Sequence, residues 1–554
     1  MKKTISIFIF LLFTCSTYSQ STAHDSEKIA TFCKLWGFLK YYHPVVATGK
    51  FDWDNEFTTR IKIVRLLHSK KEISNYYSAW IKDLGEVKKC KECSFTITDS
   101  IKYNLNLSWL TDTSIFTNSL INQLLYVQQN RNQGKNYYVE QKPYIGNTAF
   151  ENEKTYTDSA FPSKELRLLS LSRYWNIINY FYPYKYRIGQ NWDSVLIEMI
   201  PKFRDSKDTI AYHLAMLELI TKINDSHAGF VTKYTNQYFG LKWAPFRFKI
   251  IDNKAIVTGF YNDSLCGRDD IQYGDVFLKV NGRTIEDIIK EKSAYIGASN
   301  YPTKLRNMSY VILNGQTDSV NVIFERNGVV AEKIIHRYDF DKFGNKRKEE
   351  KEDVYKILDG NIGYVNMGEL ELKETDKILA KLKDTKAIIF DVRNYPKGTL
   401  YKIAEFLNIG RKAFVKFTQP DISYPGLFHY TAPYFCGKKN KTPYSGKVIL
   451  LFNETSQSHA EFTLMALQTA PNVIGIGSQT AGADGNVSLI TLPGNYKTYM
   501  TGIGVFYPDG RETQRIGIVP DIEVKATIKG IRLKQDEVLD KAIEVINNTG
   551  LTFN

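Results

Sequence analysis

At 554 residues the chain is too long for one hydrophobic core, which rarely grows past ~250–300 residues, so several domains are expected. A formal net charge of +14 could point to nucleic acid, but 73 Lys and Arg are scattered among 59 Asp and Glu, and no Gly-rich or aromatic-basic binding module occurs. The basicity therefore reads as a solvated surface, and nucleic acid is not an expected partner.

Lys2 and Lys3 precede an apolar run from Ile5 to Phe13 and then small polar residues. That run is too short to span a bilayer and suits a secretory signal over residues 1–19, cleaved after Ser19. Its removal takes away two lysines and no acid. No later run approaches the ~20 apolar residues of a membrane helix, so an exported soluble protein, periplasmic or secreted, is expected. Cys15 leaves a lipid anchor open, but Thr14 before it fits such a signal poorly.

Of six cysteines, five lie beyond the signal. Cys90 and Cys93 form a Cys-x-x-Cys with no second pair or spaced histidines to complete a zinc site, so neither a metal nor a cofactor is expected. A local disulfide after export stays open.

Trp36, Pro44, Trp53 and Asp54 recur as Trp175, Pro183, Trp192 and Asp193, each displaced by 139 positions. Both copies are aromatic-rich helical stretches stopped by Pro, which predicts two related helical units, residues 20–110 and 164–236. Between them, 111–163 is polar and rich in Asn and Tyr and reads as irregular connection. A helical run over 211–223 then leads into Asn224-Asp-Ser226-His227-Ala-Gly-Phe230, where Gly229 is expected to reverse the chain and His227 to sit on a turn. Histidine suits general-base work near neutral pH.

Residues 237–335 change to short strands and turns, including Tyr273-Gly-Asp275. Small β modules of this kind bind extended peptides as an added strand and can capture a C-terminal carboxylate. A charged connector follows over 336–355. The last region, 356–554, opens with a strand at Asn361–Val365 and an amphipathic helix over 374–384. A buried strand then ends in Phe390-Asp-Val-Arg-Asn-Tyr-Pro-Lys-Gly398.

From Gly446 to Gly477 two continuously apolar runs flank a helical segment, a βαβ unit of a mostly parallel sheet. Ser458 falls at its strand-to-helix turn. Helix amides are unpaired there and the macrodipole is positive, which suits a nucleophile; the His459 amide could hold an oxyanion, and Gly398 could supply a second donor. Thr455, Ser456 and Ser458 are also ordinary N-cap candidates.

The ordered set Asp225-Ser226-His227-Ala228, the PDZ-like stretch, the turn ending at Gly398, Ser458-His-Ala-Glu461 and Gly517-Ile-Val-Pro-Asp521 resembles the tail-specific, or C-terminal processing, serine peptidases over roughly residues 165–548. The resemblance implies an α/β and α+β multidomain fold, with a ClpP/crotonase-like βαβ peptidase core, a PDZ-like β module and N-terminal helical units. Typical members use a Ser-Lys dyad, but Gln479-Thr-Ala-Gly-Ala-Asp-Gly485 holds no lysine. The chain is more similar to the tricorn-type core peptidases, whose pattern implies Ser458 as nucleophile, His227 as base, Ser226 beside it and Gln514 in a fourth place usually held by glutamate, with Glu512 two residues away. It also implies a polypeptide substrate engaged through its C-terminal tail. A peptidase-like protein that captures peptides without cutting them is the alternative, and an ester hydrolase would use the same machinery. Oligomeric state is left open.

Overall fold

The computed structural model describes residues 25–93, 100–101, 103–157, 159–342 and 353–548. The expected signal at 1–19 lies outside the described residues, as does the middle of the charged connector. Among the described residues no helix is long and apolar enough to cross a membrane. The chain forms two compact units assembled from non-consecutive pieces. Among the described residues, one comprises those between 25 and 219 with 418–430 and 487–503, the other those between 220 and 417 with 431–486 and 504–548.

In the first unit the tryptophans displaced by 139 positions make the same contact twice. Trp36 Nε1 donates to the Trp53 carbonyl at 2.9 Å while Trp53 Nε1 donates back at 3.2 Å. Trp175 and Trp192 exchange the same bonds at 2.7 and 3.0 Å, and each pair of rings is stacked. An indole N–H is a donor only, so a buried tryptophan needs an acceptor, and each here borrows its partner's backbone. The helix over residues 25–42 approaches helix Lys164–Phe181 so closely that a Cβ on Gly37 would collide with the Asn176 side chain. Those two positions are themselves 139 apart. Arg173, fully buried on the second helix, is held by Asp54 at 2.8 Å and Glu153 at 3.0 Å. Pairing of this kind is what permits a charge to be buried.

The stretch 111–163, expected to be irregular, contains helix Asn118–Gln129 and the hairpin Val139–Gln141 with Thr148–Phe150. Leu120, Ile121, Leu124 and Val127 are buried along one face of that helix. The stripe has helical spacing, diluted by the Asn and Gln that fill the other face. Cys90 and Cys93 are joined by a disulfide, and Cys33, Cys266 and Cys436 are buried thiols.

The second unit contains a six-stranded sheet in the order Tyr355–Leu358, Ile362–Asn366, Ala387–Asp391, Lys447–Phe452, Val473–Gly477, Ile522–Glu523. The first pair is antiparallel and the rest are parallel. Successive side chains face opposite sides, so Ile388, Phe390, Val448 and Leu450 share a core with Leu379, Ile403 and Leu464, while Ile389, Ile449 and Leu451 pack with Val538 and Val545. Helices Thr375–Leu382, Leu400–Leu407 and His459–Leu467 thus contribute to one face and helix Glu537–Asn547 to the other. Each such residue is worth roughly 1.5–3 kcal/mol when fully buried.

A separate antiparallel sheet in this unit runs Val329–His336, Ser319–Arg326, Val276–Val280, Lys254–Phe260, Phe246–Ile251, with helices Ile285–Lys292 and Tyr301–Met308. Its apolar core includes Phe246, Phe277, Ile285, Met308 and Val322. Strand Phe246–Ile251 stands at one end of that sheet order.

Candidate active site

Strand Lys447–Phe452 leaves the sheet through a turn fixed by its own polar side chains. Asn453 N–H donates to Ser456 Oγ at 3.2 Å and Thr455 N–H to Asn453 Oδ1 at 2.9 Å. Ser456 Oγ and Thr455 Oγ1 also donate to the carbonyls of Val392 and Arg393, at 2.7 and 2.9 Å, tying this turn to the end of strand Ala387–Asp391. The next helix, His459–Leu467, is capped by Ser458 with φ 57° and ψ −119°. A non-glycine residue so far from the allowed regions costs of order 1–3 kcal/mol and persists only where its surroundings over-determine it. A sharp strand-to-helix turn of this kind is how α/β hydrolases lift a nucleophilic hydroxyl clear of the sheet.

The over-determination is visible. Ser458 N–H donates to the Ala483 carbonyl at 3.0 Å and to Glu461 Oε2 at 3.1 Å. The Glu461 carboxylate, fully buried, also accepts from Thr480 Oγ1 at 2.5 Å, Gly482 N–H at 2.8 Å and Ala483 N–H at 3.0 Å. Burial pushes this carboxyl up, and the four donors act in the opposite direction. Asp484, also buried, accepts from the Gly485 amide, and its Oδ2 has no hydrogen-bond partner among the described residues. Burial and then the neighbouring Glu461 charge raise the Asp484 carboxyl well above the usual range. Four donors thus converge on the Glu461 carboxyl and one on that of Asp484.

Helix Thr209–Thr221 precedes the second constellation. The chain leaves it through Asn224, at φ 52°, rather than through Gly229, which is not left-handed. Asn tolerates that conformation better than most residues. Asp225 follows, fully buried, and its Oδ1 accepts the His227 amide at 3.0 Å. The same oxygen lies 3.6 Å from His227 Nδ1, the imidazole side chain being 11% exposed. His227 therefore sits on a turn.

Ser226 is held by a residue 73 positions away. Ser299 N–H donates to Ser226 Oγ at 2.8 Å, Ser226 N–H donates to Ser299 Oγ at 2.8 Å, and the two hydroxyls are 3.1 Å apart. Buried Gln514 donates to the same Ser299 Oγ at 3.5 Å. Glu512 forms a backbone bridge with Phe506.

Two links join the histidine turn to the serine turn. Gln457, adjacent to Ser458, donates through Nε2 to the Ser226 carbonyl at 3.4 Å. Ser226 Oγ donates to the Ala481 carbonyl at 3.4 Å, while Ala481 N–H reaches Ser456 O at 3.0 Å. Arg306, on helix Tyr301–Met308, braces the same place by donating to Gln457 Oε1 at 2.8 Å and Glu454 O at 2.7 Å.

Gly398 is exposed on the loop after strand Ala387–Asp391, at φ 72°. A Cβ there would meet nothing within 4 Å, so backbone conformation rather than crowding is what favours glycine. Tyr395 on the same loop brings its ring within 6.0 Å of the His459 ring. The His459 imidazole, whose affinity for a proton burial lowers, has no partner for Nε2 among the described residues. Among those residues no group of three or more His, Cys, Asp or Glu is placed to hold a metal.

Beside these turns lies a cavity of about 820 Å³, lined by Phe246, Phe248, Ile250, Tyr301 and Leu305 and reaching Glu454. One wall is the end strand Phe246–Ile251.

Sequence reasoning missed Asp225 as a neighbour of the imidazole, Ser299 and the role of Glu461. The Ser-x-x-Glu spacing could have revealed the last, since it is that of a capping box. Ser299 carried no local signal.

The family model described as Peptidase family S41 matches residues 361–524. A carboxy-terminal-processing protease of Bartonella bacilliformis is 27% identical over 181 residues, which is 30% of this chain and 40% of that protein. A protein of Chlamydia trachomatis serovar D is 31% identical over 118 residues, 20% of each chain. The chain thus spans less than half the length of both curated relatives. Among solved structures, mature CPAF aligns with a TM-score of 0.55 at 17% identity, over 70% of this chain and 99% of that one, a likeness of fold.

Proposed function

Residues 361–524 are a peptidase family S41 domain, and from that premise we propose that the chain is an exported serine endopeptidase that cuts protein tails or unfolded polypeptides. The observation that carries the reading is the bond from Gln457 to the Ser226 carbonyl, which ties the neighbour of Ser458 to the neighbour of His227. In the proposed reaction His227 takes the Ser458 Oγ proton as the oxygen attacks a peptide carbonyl. The oxyanion is held by the His459 amide and an amide at Gly398; the protonated histidine gives its proton to the leaving amine, and water resolves the acyl-enzyme. Ser226 and Gln514 orient hydroxyl groups around the base. Glutamine can do this through hydrogen bonds but supplies no charge.

The antiparallel sheet with helix Tyr301–Met308 is read as the PDZ-like module, and the parallel sheet as the ClpP/crotonase-like core. Tail binding is supported by the cavity beside strand Phe246–Ile251, where an extended peptide could add as a strand with its side chains among apolar groups. Export is supported by the composition of residues 1–19 and fits the Cys90–Cys93 disulfide. Gln514 in place of a carboxylate is what favours the second reading, a peptide-capturing protein without hydrolysis.

Cleavage of a fluorogenic unfolded polypeptide and labelling by a fluorophosphonate separate the readings. Both should be present in the native chain and absent from Ser458→Ala and His227→Ala. Binding of tail peptides without cleavage or labelling would leave only capture.

A further inference from the structure

A histidine that takes a proton becomes a cation, and inside a largely closed site that cation needs a counter-charge. Gln514 carries none, and its side chain is engaged with Ser299, on the side of Ser226. We infer that Asp225 is the positioning residue that orients the His227 imidazole and balances its charge when it takes the serine proton.

Three observations combine. Asp225 is fully buried, whereas unpaired carboxylates are normally left in water. Its Oδ1 accepts the His227 amide at 3.0 Å, which fixes the backbone of the base relative to the carboxylate. The same oxygen stands 3.6 Å from Nδ1, so that ring nitrogen faces the acid. That separation exceeds a hydrogen bond, and in substrate-free enzymes such contacts tighten when the complex forms. The division of labour is then clear: Asp225 serves the charge of the base, while Ser299 and Gln514 fix the Ser226 hydroxyl. During acylation the Ser458 proton moves to His227, the new bond forms from Oγ to the carbonyl carbon, and Asp225 remains a carboxylate throughout.

The inference rests on the proposed peptidase reading, and the test keeps the two apart. In full-length protein, Asp225→Asn keeps an oxygen that can accept the His227 amide while removing the charge. With a fluorogenic peptide that the native chain cleaves, kcat should fall by about 10²- to 10⁴-fold with KM within about twofold, by analogy with loss of the acid in a serine triad. In the complex with a peptide boronate, a far-downfield proton resonance from an Nδ1–H held by a carboxylate should be present in the native protein and absent from the variant. Should Asp225→Asn not fold, Asp225→Ser offers the same amide an uncharged acceptor and should show the same loss. Native kcat in a folded variant, in a protein that Ser458→Ala inactivates, overturns the role of Asp225 and leaves the Ser458–His227 reading standing. Activity that survives Ser458→Ala removes both.

Discussion

Glu461 Oε2 accepts the Ser458 amide at 3.1 Å and the Ala483 amide at 3.0 Å, while Oε1 accepts from Thr480 and Gly482. One buried carboxyl therefore clamps the strained serine to the turn whose Ala481 carbonyl meets Ser226. Glu461→Gln keeps the shape but turns one acceptor into a donor facing N–H groups. Stability should drop by roughly 1–3 kcal/mol, the cost of buried groups left unsatisfied. kcat should fall about 10²-fold through misplacement of Ser458. Thermal unfolding and fluorophosphonate labelling rates measure the two effects, and a variant with native labelling would show that other contacts suffice to hold the turn.

Gln457 should matter to rate more than to stability. It is partly exposed, joins Arg306 to the Ser226 carbonyl, and its loss removes two bonds worth about 0.5–1.5 kcal/mol each. Gln457→Ala should fold normally and lose roughly tenfold in kcat, equivalent to about 1.4 kcal/mol of barrier. Gln457→Glu should be slower still, since it sets a carboxylate against the Ser226 carbonyl while strengthening only the Arg306 contact. Equal rates in all three proteins would mean that this link does not govern how the two turns align.

Asp484 gives a pH-dependent stability of definite sign. Burial raises its carboxyl far above the unfolded value, so as pH rises past the ordinary carboxylate range the unfolded chain releases a proton that the folded chain keeps. Stability contributed by this position is full at acid pH and is lost as pH climbs. Asp484→Asn removes that dependence. Its melting temperature should exceed the native value at pH 7, with the difference shrinking toward pH 3.5; an increment independent of pH would point to packing instead.

The parts of this architecture that were readable are those where local pattern and fold coincide. Two continuous apolar runs around the Ser458 helix could only be strands buried on both faces, and Lys447–Phe452 and Val473–Gly477 are parallel neighbours. Placing His227 on a turn needed only the polar cluster after a helix. Helix Asn118–Gln129 was hidden because its four buried apolar residues sit among Asn and Gln, so composition spoke louder than period. Ser299 and Arg306 act across long separations, where sequence carries no trace of contact. The joining of residues 418–430 and 487–503 to the N-terminal helices is a fact of chain path, which local propensity does not encode.

Tail recognition can be tested on the cavity beside strand Phe246–Ile251. Tyr301 lines it and is 57% exposed, so its side chain is available to a ligand and contributes little to the core. Tyr301→Ala should fold as the native chain does and raise KM for a tail-bearing polypeptide by roughly tenfold, the equivalent of about 1.4 kcal/mol of lost contact. Fluorophosphonate labelling of Ser458, which needs no tail, should be unchanged. A substrate whose C-terminal carboxylate is amidated should lose affinity in the native chain if amides at the end of that strand capture the carboxylate. Indifference to both changes, with cleavage intact, would make the cavity irrelevant to substrate choice and leave specificity to the residues around Ser458.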